Sequence, residues 1–382
     1  MIEFVEYEDA AFRKVIKTDK YWVHTDIGNL LDTMCGNSAY IWGYNHHELN
    51  QSLIQQLGQV NFLRGRNNEK NDLVDQVNHK FLHDAGMSGI IWACSGSDGV
   101  EAGLELAHQF WTKKNNKKNK IISFVPGYHG CTYLGKSLWG GRSNSKVILL
   151  DAPSWTKIDD RELSESQVLE QIEKLLKLDK SIGTIIFETV PWISGIRPYG
   201  QLWWQKLRDL CDQYDILMVA DDVWGGFGKV ETTFSHKLFD TIPDIVIMGK
   251  SITGGYVPLS CALCNQRVSH IVDNNNWIHG HTWQPQMLGI ALADKCFELF
   301  DVAQVRQINK KQLQLADKLN LQSRGSGLTK ELLLDKPVSK KNMELAGLCN
   351  TQYTNNSLFL VTPLCADEEY WYEIEKRITK LL

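Results

Sequence analysis

Short apolar runs alternate with longer stretches of helical period through the middle of the chain. The runs lie at residues 89–93, 120–124, 146–150, 184–187, 216–220, 244–248 and 259–263. They are too short for helices and carry little polar alternation, which fits strands buried on both faces. Between them, residues 100–111 and 203–214 repeat apolar positions every three or four residues, as amphipathic helices do. Strand–helix alternation predicts an α/β fold with a mostly parallel sheet, seven-stranded in type, flanked by helices. Ligands of such sheets sit beyond the carboxyl ends of the strands. Ser95, Gly96, Ser97, Glu188, Asp221 and Lys250 all fall at those ends.

The texture changes after about residue 290. Residues 290–299, 302–319 and 367–382 have helical period, and 331–334 and 358–361 are short strand-like runs. This predicts a small α+β domain over 291–382. A large ligand-binding domain would span 46–290, and an N-terminal segment, 1–45, would pack with the small one. No internal repeat or low-complexity linker interrupts the chain.

Composition narrows the class. With 382 residues, 43% hydrophobic and 23% charged, the chain reads as globular and long enough to bury a large core. Its net charge of -4, with both signs interspersed, lacks the basic footprint of a nucleic-acid binder. The one concentrated basic stretch, 113–120, reads as a solvated loop after a helix. Nine cysteines follow no disulfide framework. Cys261 and Cys264 form a lone pair with no His cluster, so they read as structural thiols in a reducing compartment, and no metal is expected. Residues 1–12 show no signal-peptide pattern, and no apolar run is long enough to span a bilayer. The expected location is the cytoplasm.

Several strand ends carry groups with a chemical use. Lys250 follows an apolar strand and precedes the turn Ser251-Ile252-Thr253-Gly254-Gly255. A lysine desolvated in a pocket loses basicity and becomes a nucleophile; taken alone, the segment also fits a surface lysine after an edge strand. Asp221 ends another apolar strand, where a carboxylate needs a partner. A protonated pyridinium would serve; a helix N-cap aspartate is the alternative local reading. Asp222 would point the other way. Ser95-Gly96-Ser97 stands between a strand and a helix, where N–H groups and hydroxyls bind anions. Tyr128-His129-Gly130 follows a Pro-Gly turn, and its aromatic ring could stack on a planar cofactor. Lysine nucleophile, buried acid, anion cradle and ring wall are what pyridoxal 5'-phosphate (PLP) requires of a protein.

The order of these pieces is more specific than any one of them. Ser-Gly-Ser at 95, Tyr-His-Gly at 128, Glu188, Ala-Asp-Asp-Val-Trp-Gly-Gly-Phe-Gly-Lys from 220 and Gly-Lys-Ser-Ile-Thr-Gly-Gly from 249 resemble the class III aminotransferases. Residues 26–43, His281-Thr282-Trp283-x-Pro285, Arg324-Gly325-Ser326-Gly327-Leu328 and Thr362-Pro363-Leu364 extend the resemblance along the whole chain. It implies a PLP-dependent transferase of fold type I. Lys250 would be the Schiff-base lysine and proton carrier, and Asp221 the partner of the pyridine nitrogen. Tyr128 and Val223 would sandwich the ring, with His129 beside it. Ser95, Gly96 and Ser97 would hold the phosphate, and Glu188 would lie near the ring hydroxyl and the substrate. Thr282 would reach the phosphate in the neighbouring subunit, which implies a homodimer with shared active sites acting on small-molecule amines and carbonyl compounds.

Four positions depart from the family pattern. Phe359 stands where amino-acid-using members carry an arginine for the α-carboxylate, and Cys131 where acetylornithine-type members carry another. Ile193 replaces a second glutamate, and Trp224 a glutamine. Apolar and aromatic surface thus replaces polar recognition. Trp42, Trp192 and Phe359 are the expected pocket wall, and Arg64, Arg66 and Arg142 are the remaining arginines that could clamp a carboxylate. The expectation is an aminotransferase with an atypical pocket. The alternatives are an aminomutase, racemase or decarboxylase on the same fold, and, further off, a binding subunit without catalysis.

Overall fold

The computed structural model describes residues 14–63, 69–153, 161–272, 279–349, 353–354 and 356–382. The chain divides into two compact units, Glu48–Val302 and the combination of Met1–His47 with Ala303–Leu382.

The larger unit is built on a seven-stranded sheet. In spatial order its strands are Gly89–Ala93, Ser260–Cys264, Ile245–Met248, Leu217–Asp221, Ile182–Glu188, Lys120–Val125 and Val147–Asp151. Ser260–Cys264 runs antiparallel to both neighbours, and every other pairing is parallel. The inner strands Ile182–Glu188, Leu217–Asp221, Ile245–Met248 and Ser260–Cys264 are buried at every position, because helices cover both faces. All seven apolar runs of the sequence become these strands, with ends displaced by one or two residues.

Gly96–Lys113, of 18 residues, packs against this sheet. Ser95 caps it by accepting a hydrogen bond from the Asp98 N–H. Val100, Leu104, Ala107 and Trp111 recur on its inner side and join Val219, Ile245 and Ile247 of the sheet in one core. The basic stretch after it is only partly the solvated loop that composition suggests. Lys118 Nζ donates to the Tyr214 carbonyl at 2.8 Å, at the end of helix Gln201–Gln213, and burial lowers its pKa.

The smaller unit holds two four-stranded sheets. One joins Val15–Asp19, Trp22–Thr25 and Gly28–Asp32 to Leu348–Cys349; the other joins Ser323–Arg324, Thr329–Leu333, Ser357–Val361 and Tyr353–Thr354. Tyr21, Leu31, Leu332, Leu358, Leu360, Tyr370 and Ile374 form its core with helices Val302–Lys318 and Glu368–Thr379. Among the described residues no helix is long and apolar enough to cross a membrane. The nine cysteines are free thiols, and Cys261 and Cys264 are buried in the central sheet.

Candidate active site

Parallel strands present their carboxyl ends on one edge, and the loops leaving them carry the predicted groups. Glu188 and Asp221 end adjacent strands and pair in register. Lys250 lies two residues beyond Ile245–Met248, the next strand over. Its φ of 48° lies in the left-handed region, uncommon for a non-glycine residue and frequent where a site over-determines the backbone.

The electrostatics follow from burial. Burial draws the Lys250 pKa down to about 8, although the charges of Glu188 and Asp221 oppose the shift. Burial also pushes the Glu188 carboxyl well above the usual range. The neighbouring Asp221 charge adds to this, while the Tyr128 N–H and Lys250 pull the other way. That N–H donates to Glu188 Oε1 at 2.8 Å. Burial thus works against the charged form of both groups and gives Lys250 a larger neutral-amine fraction near neutral pH than an ordinary lysine has.

Asp221 is partnered in a different way. His129 Nδ1 lies 2.7 Å from its Oδ2, and the Val223 N–H donates to its Oδ1 at 3.1 Å. Both side chains are almost fully inaccessible, so this is a buried carboxylate with two partners already placed. Asp222 turns to the opposite side as strand geometry requires. It accepts hydrogen bonds from Thr189 and from Ser235, and burial pushes its pKa up to about 6 against those bonds. The two consecutive acids therefore differ in role: one faces the strand-end cluster, the other braces the loop behind it.

The Ser95–Ser97 segment meets the same cluster. A Cβ on Gly96 would lie 2.8 Å from Val223 Cγ1, and one on Gly249 would lie 3.2 Å from the same atom. Glycine at 96 is therefore a steric requirement that draws the helix start, Val223 and the residue before Lys250 together. Ser97 Oγ accepts from the Cys131 N–H at 3.1 Å, which leaves its own proton to donate. Gly130, at φ 91°, packs so closely on Ser97 that a Cβ there would fall within 2.5 Å of its Oγ. With the unpaired N–H groups of a helix's first turn, these residues form an anion cradle. An anion cradle, a buried acid and a depressed lysine on neighbouring strand ends fit the phosphate, pyridinium nitrogen and carbonyl carbon of PLP.

An aromatic group stands over the lysine. Lys250 Nζ is 5.9 Å from the Trp192 ring centroid, and Tyr128 meets Trp192 edge-on at 6.4 Å. Tyr128 also stacks on Trp139 at 6.0 Å, and Trp139 Nε1 donates to the Gly130 carbonyl. Trp139 escaped the sequence reading, because a lone tryptophan in a Gly-rich turn carries no periodic signal. Thr282 is exposed, and Arg142 lies over the Tyr133 ring. Trp42 and Phe359 are buried in the smaller unit. Phe359 pairs with Glu331, and its neighbours Leu358 and Leu360 enter the core, so its ring faces the other side of that sheet. Arg64 and Arg66 lie outside the described residues.

Comparison with known proteins gives the family. The profile of the family described as Aminotransferase class-III matches residues 6–380. The chain is 26% identical to the adenosylmethionine-8-amino-7-oxononanoate aminotransferase of Staphylococcus aureus, covering 74% of this chain and 67% of that protein. It is 24% identical to the putrescine–pyruvate aminotransferase of Pseudomonas aeruginosa, covering 94% and 86%. Among solved structures, the omega transaminase from Pseudomonas jessenii superposes with a TM-score of 0.90 at 19% identity, covering 99% of this chain and 95% of that one. A PLP-bound amine transaminase from an uncultivated Pseudomonas species gives 0.87 at 21% identity, covering 100% and 98%.

Proposed function

The chain belongs to the class-III aminotransferases, enzymes whose cofactor is PLP, and from that premise we propose that it moves an amino group between an amine donor that lacks an ordinary α-carboxylate grip and a carbonyl acceptor. The observation that carries this reading is the Lys250 amine, with its pKa drawn down to about 8, set beside the buried Asp221–His129 pair.

Bound PLP supplies a reactive carbonyl and an electron sink. The residues of this chain would hold and serve it. Ser95, Gly96 and Ser97 would receive the phosphate, Asp221 would keep the pyridine nitrogen protonated, and Tyr128 and Val223 would flank the ring. Glu188, whose carboxyl is pushed upward by burial, would lie near the ring hydroxyl. Lys250 Nζ would attach to the cofactor, then carry a proton to and from the reacting carbon. At pH 7 a group with pKa about 8 is about one-tenth unprotonated, far more than an ordinary lysine.

Two features support an unusual donor. Cys131, on the loop that contacts Ser97, has no charge to offer a carboxylate, and Trp192 and Tyr128 present aromatic surface beside Lys250. We further place the enzyme in the cytoplasm as a homodimer, with Thr282 serving the neighbouring subunit's phosphate; this rests on the resemblance of the segment from His281 to Pro285. The test is to reduce the yellow holoenzyme with borohydride, map the labelled peptide, and incubate unreduced enzyme with candidate amines. A label on the Lys250 peptide and release of the aldehyde or ketone of the donor are expected. A label elsewhere overturns the lysine assignment. A rearranged, racemised or decarboxylated product without a free carbonyl overturns the transfer reaction.

A further inference from the structure

A second cluster lies one residue upstream of the phosphate cradle. Cys94, Asp98 and His281 each offer one ligand atom, and these atoms lie within 4.8 Å of one another. Cys94 follows the strand Gly89–Ala93, Asp98 sits in the first turn of helix Gly96–Lys113, and His281 returns from a segment 187 residues away from Cys94. Cys94 Sγ is 3.3 Å from His281 Nδ1. His281 Nε2 is 3.0 Å from Asp98 Oδ2, yet off the direction of a hydrogen bond, so this buried nitrogen has no hydrogen-bond partner among the described residues. His279 Nε2 holds the other oxygen, Oδ1, at 2.8 Å. The Cys94 N–H fixes Oδ2 at 2.7 Å.

We propose that Cys94, Asp98 and His281 form a site for a thiophilic divalent cation of the zinc class, with His279 as the outer partner that orients Asp98. The donor chemistry selects the ion. Calcium and magnesium take oxygen donors, whereas thiolate, imidazole and one carboxylate together suit zinc. Around a tetrahedral ion, zinc bonds of about 2.3 Å to sulfur and about 2.0 Å to nitrogen put neighbouring donors roughly 3.5 Å apart. With one His281 nitrogen as the ligand, the three donor atoms lie within 4.8 Å of one another, so side-chain rotation closes the set around the ion. Three protein ligands leave a fourth position for water, the pattern of an exchangeable rather than a closed structural site. A histidine on the free oxygen of a ligating carboxylate is an outer-shell arrangement that fixes the ligand before the ion arrives. Binding would release the Cys94 thiol proton to solvent as sulfur ligates. The ion would clamp the start of helix Gly96–Lys113 to the segment carrying His279 and His281. The inference runs against the sequence expectation of no metal, which considered only the Cys261 and Cys264 pair.

The site is tested on holoenzyme stripped with a chelator and dialysed into metal-free buffer. Zinc is titrated by calorimetry against a competing chelator, and cobalt is followed by its visible ligand-field bands. One zinc per chain is expected, with tetrahedral cobalt bands. Cys94→Ser and His281→Gln should each weaken binding by at least about 100-fold, and His279→Gln by about 10- to 100-fold. Should Cys94→Ser misfold, His281→Gln carries the test, because that side chain is partly exposed and anchors no core. Wild-type protein that takes up less than one zinc per chain overturns the proposal. So does stoichiometric binding that His281→Gln leaves unchanged, which would assign the metal to other thiols.

Discussion

His129 Nδ1 lies 2.7 Å from Asp221 Oδ2, and both side chains are buried. The imidazole therefore fixes the direction of the carboxylate proposed to face the pyridine nitrogen. His129→Phe removes that partner and leaves Asp221 with the Val223 N–H. A hydrogen bond to a charged group contributes about 1.5–3 kcal/mol, so the amine half-reaction should slow by about 10- to 100-fold. Asp221→Asn should do more, because it removes the charge itself; losses of a few kcal/mol are usual at such positions. Stopped-flow half-reactions order the two. A His129→Phe enzyme with the wild-type rate would show that other contacts orient Asp221.

The lowered pKa of Lys250 gives a pH signature independent of substrate. The neutral amine is the form that reacts with added PLP. The rate of reconstituting apoenzyme should rise with pH and level off just above 8. An unperturbed lysine would go on rising past about 10. Lys250→Ala should bind the cofactor without a reducible link and show no turnover, because nucleophile and proton carrier are one group.

The sequence made the strand ends legible because a fully buried strand leaves a continuous apolar run, and the run's last residue points to the site. Asp221, Glu188 and Lys250 were found that way. The pairings among side chains were not legible. His129 and Asp221 are 92 residues apart and meet only because the topology brings their loops to one edge. Trp139 and the Cys94–Asp98–His281 cluster are hidden for the same reason. Helix Asp72–Ala85 illustrates a different loss. Its Asn71 cap and left-handed Gly86 terminus are ordinary boundary signals, but Val77, Phe81 and Ala85 are its only fully buried residues, so the apolar stripe is narrow. Lys118 shows the limit of composition: a lysine in a basic loop serves as the cap of another helix.

His236 should make stability depend on pH. Its ring is buried, Nε2 lies 2.9 Å from the Ala85 carbonyl, and burial draws its pKa down from 6.5 to about 4. Between those values the unfolded chain binds a proton that the folded protein does not. This contribution is fully present above pH 6.5 and is lost as pH falls toward 4. The loss is at most about 3 kcal/mol. Denaturant unfolding of wild type and His236→Gln at pH 7 and 4.5 should show a smaller pH difference in the variant. Equal differences would assign the acid sensitivity to other groups.

The proposed sharing of sites across a homodimer predicts complementation. Lys250→Ala and Thr282→Ala subunits should each be impaired as homodimers. A hybrid would contain one site with both residues intact, and should recover roughly half of the wild-type activity per dimer. Verified hybrids that recover nothing would mean that each phosphate site is built within one chain.

The substrate prediction follows from what surrounds the amine. Trp192 lies over Lys250 at 5.9 Å, and the resemblance read from the sequence implies that Cys131 and Phe359 replace arginines of amino-acid-using members. A carboxylate entering without a bidentate partner loses several kcal/mol, or roughly a thousandfold in affinity. Half-reactions with glutamate, alanine and ornithine should therefore be slow beside those of primary amines that lack an α-carboxylate. Trp192→Ala should shift the preference among amines toward bulkier ones, because it removes a ring that lies over the nucleophile while leaving Asp221 and His129 in place. Phe359→Arg should improve the amino acids if position 359 is the family's carboxylate position. Fast amino-acid turnover that neither substitution alters would place recognition elsewhere. Arg142, which lies over the Tyr133 ring on the segment after Cys131, is then the loop arginine to substitute first.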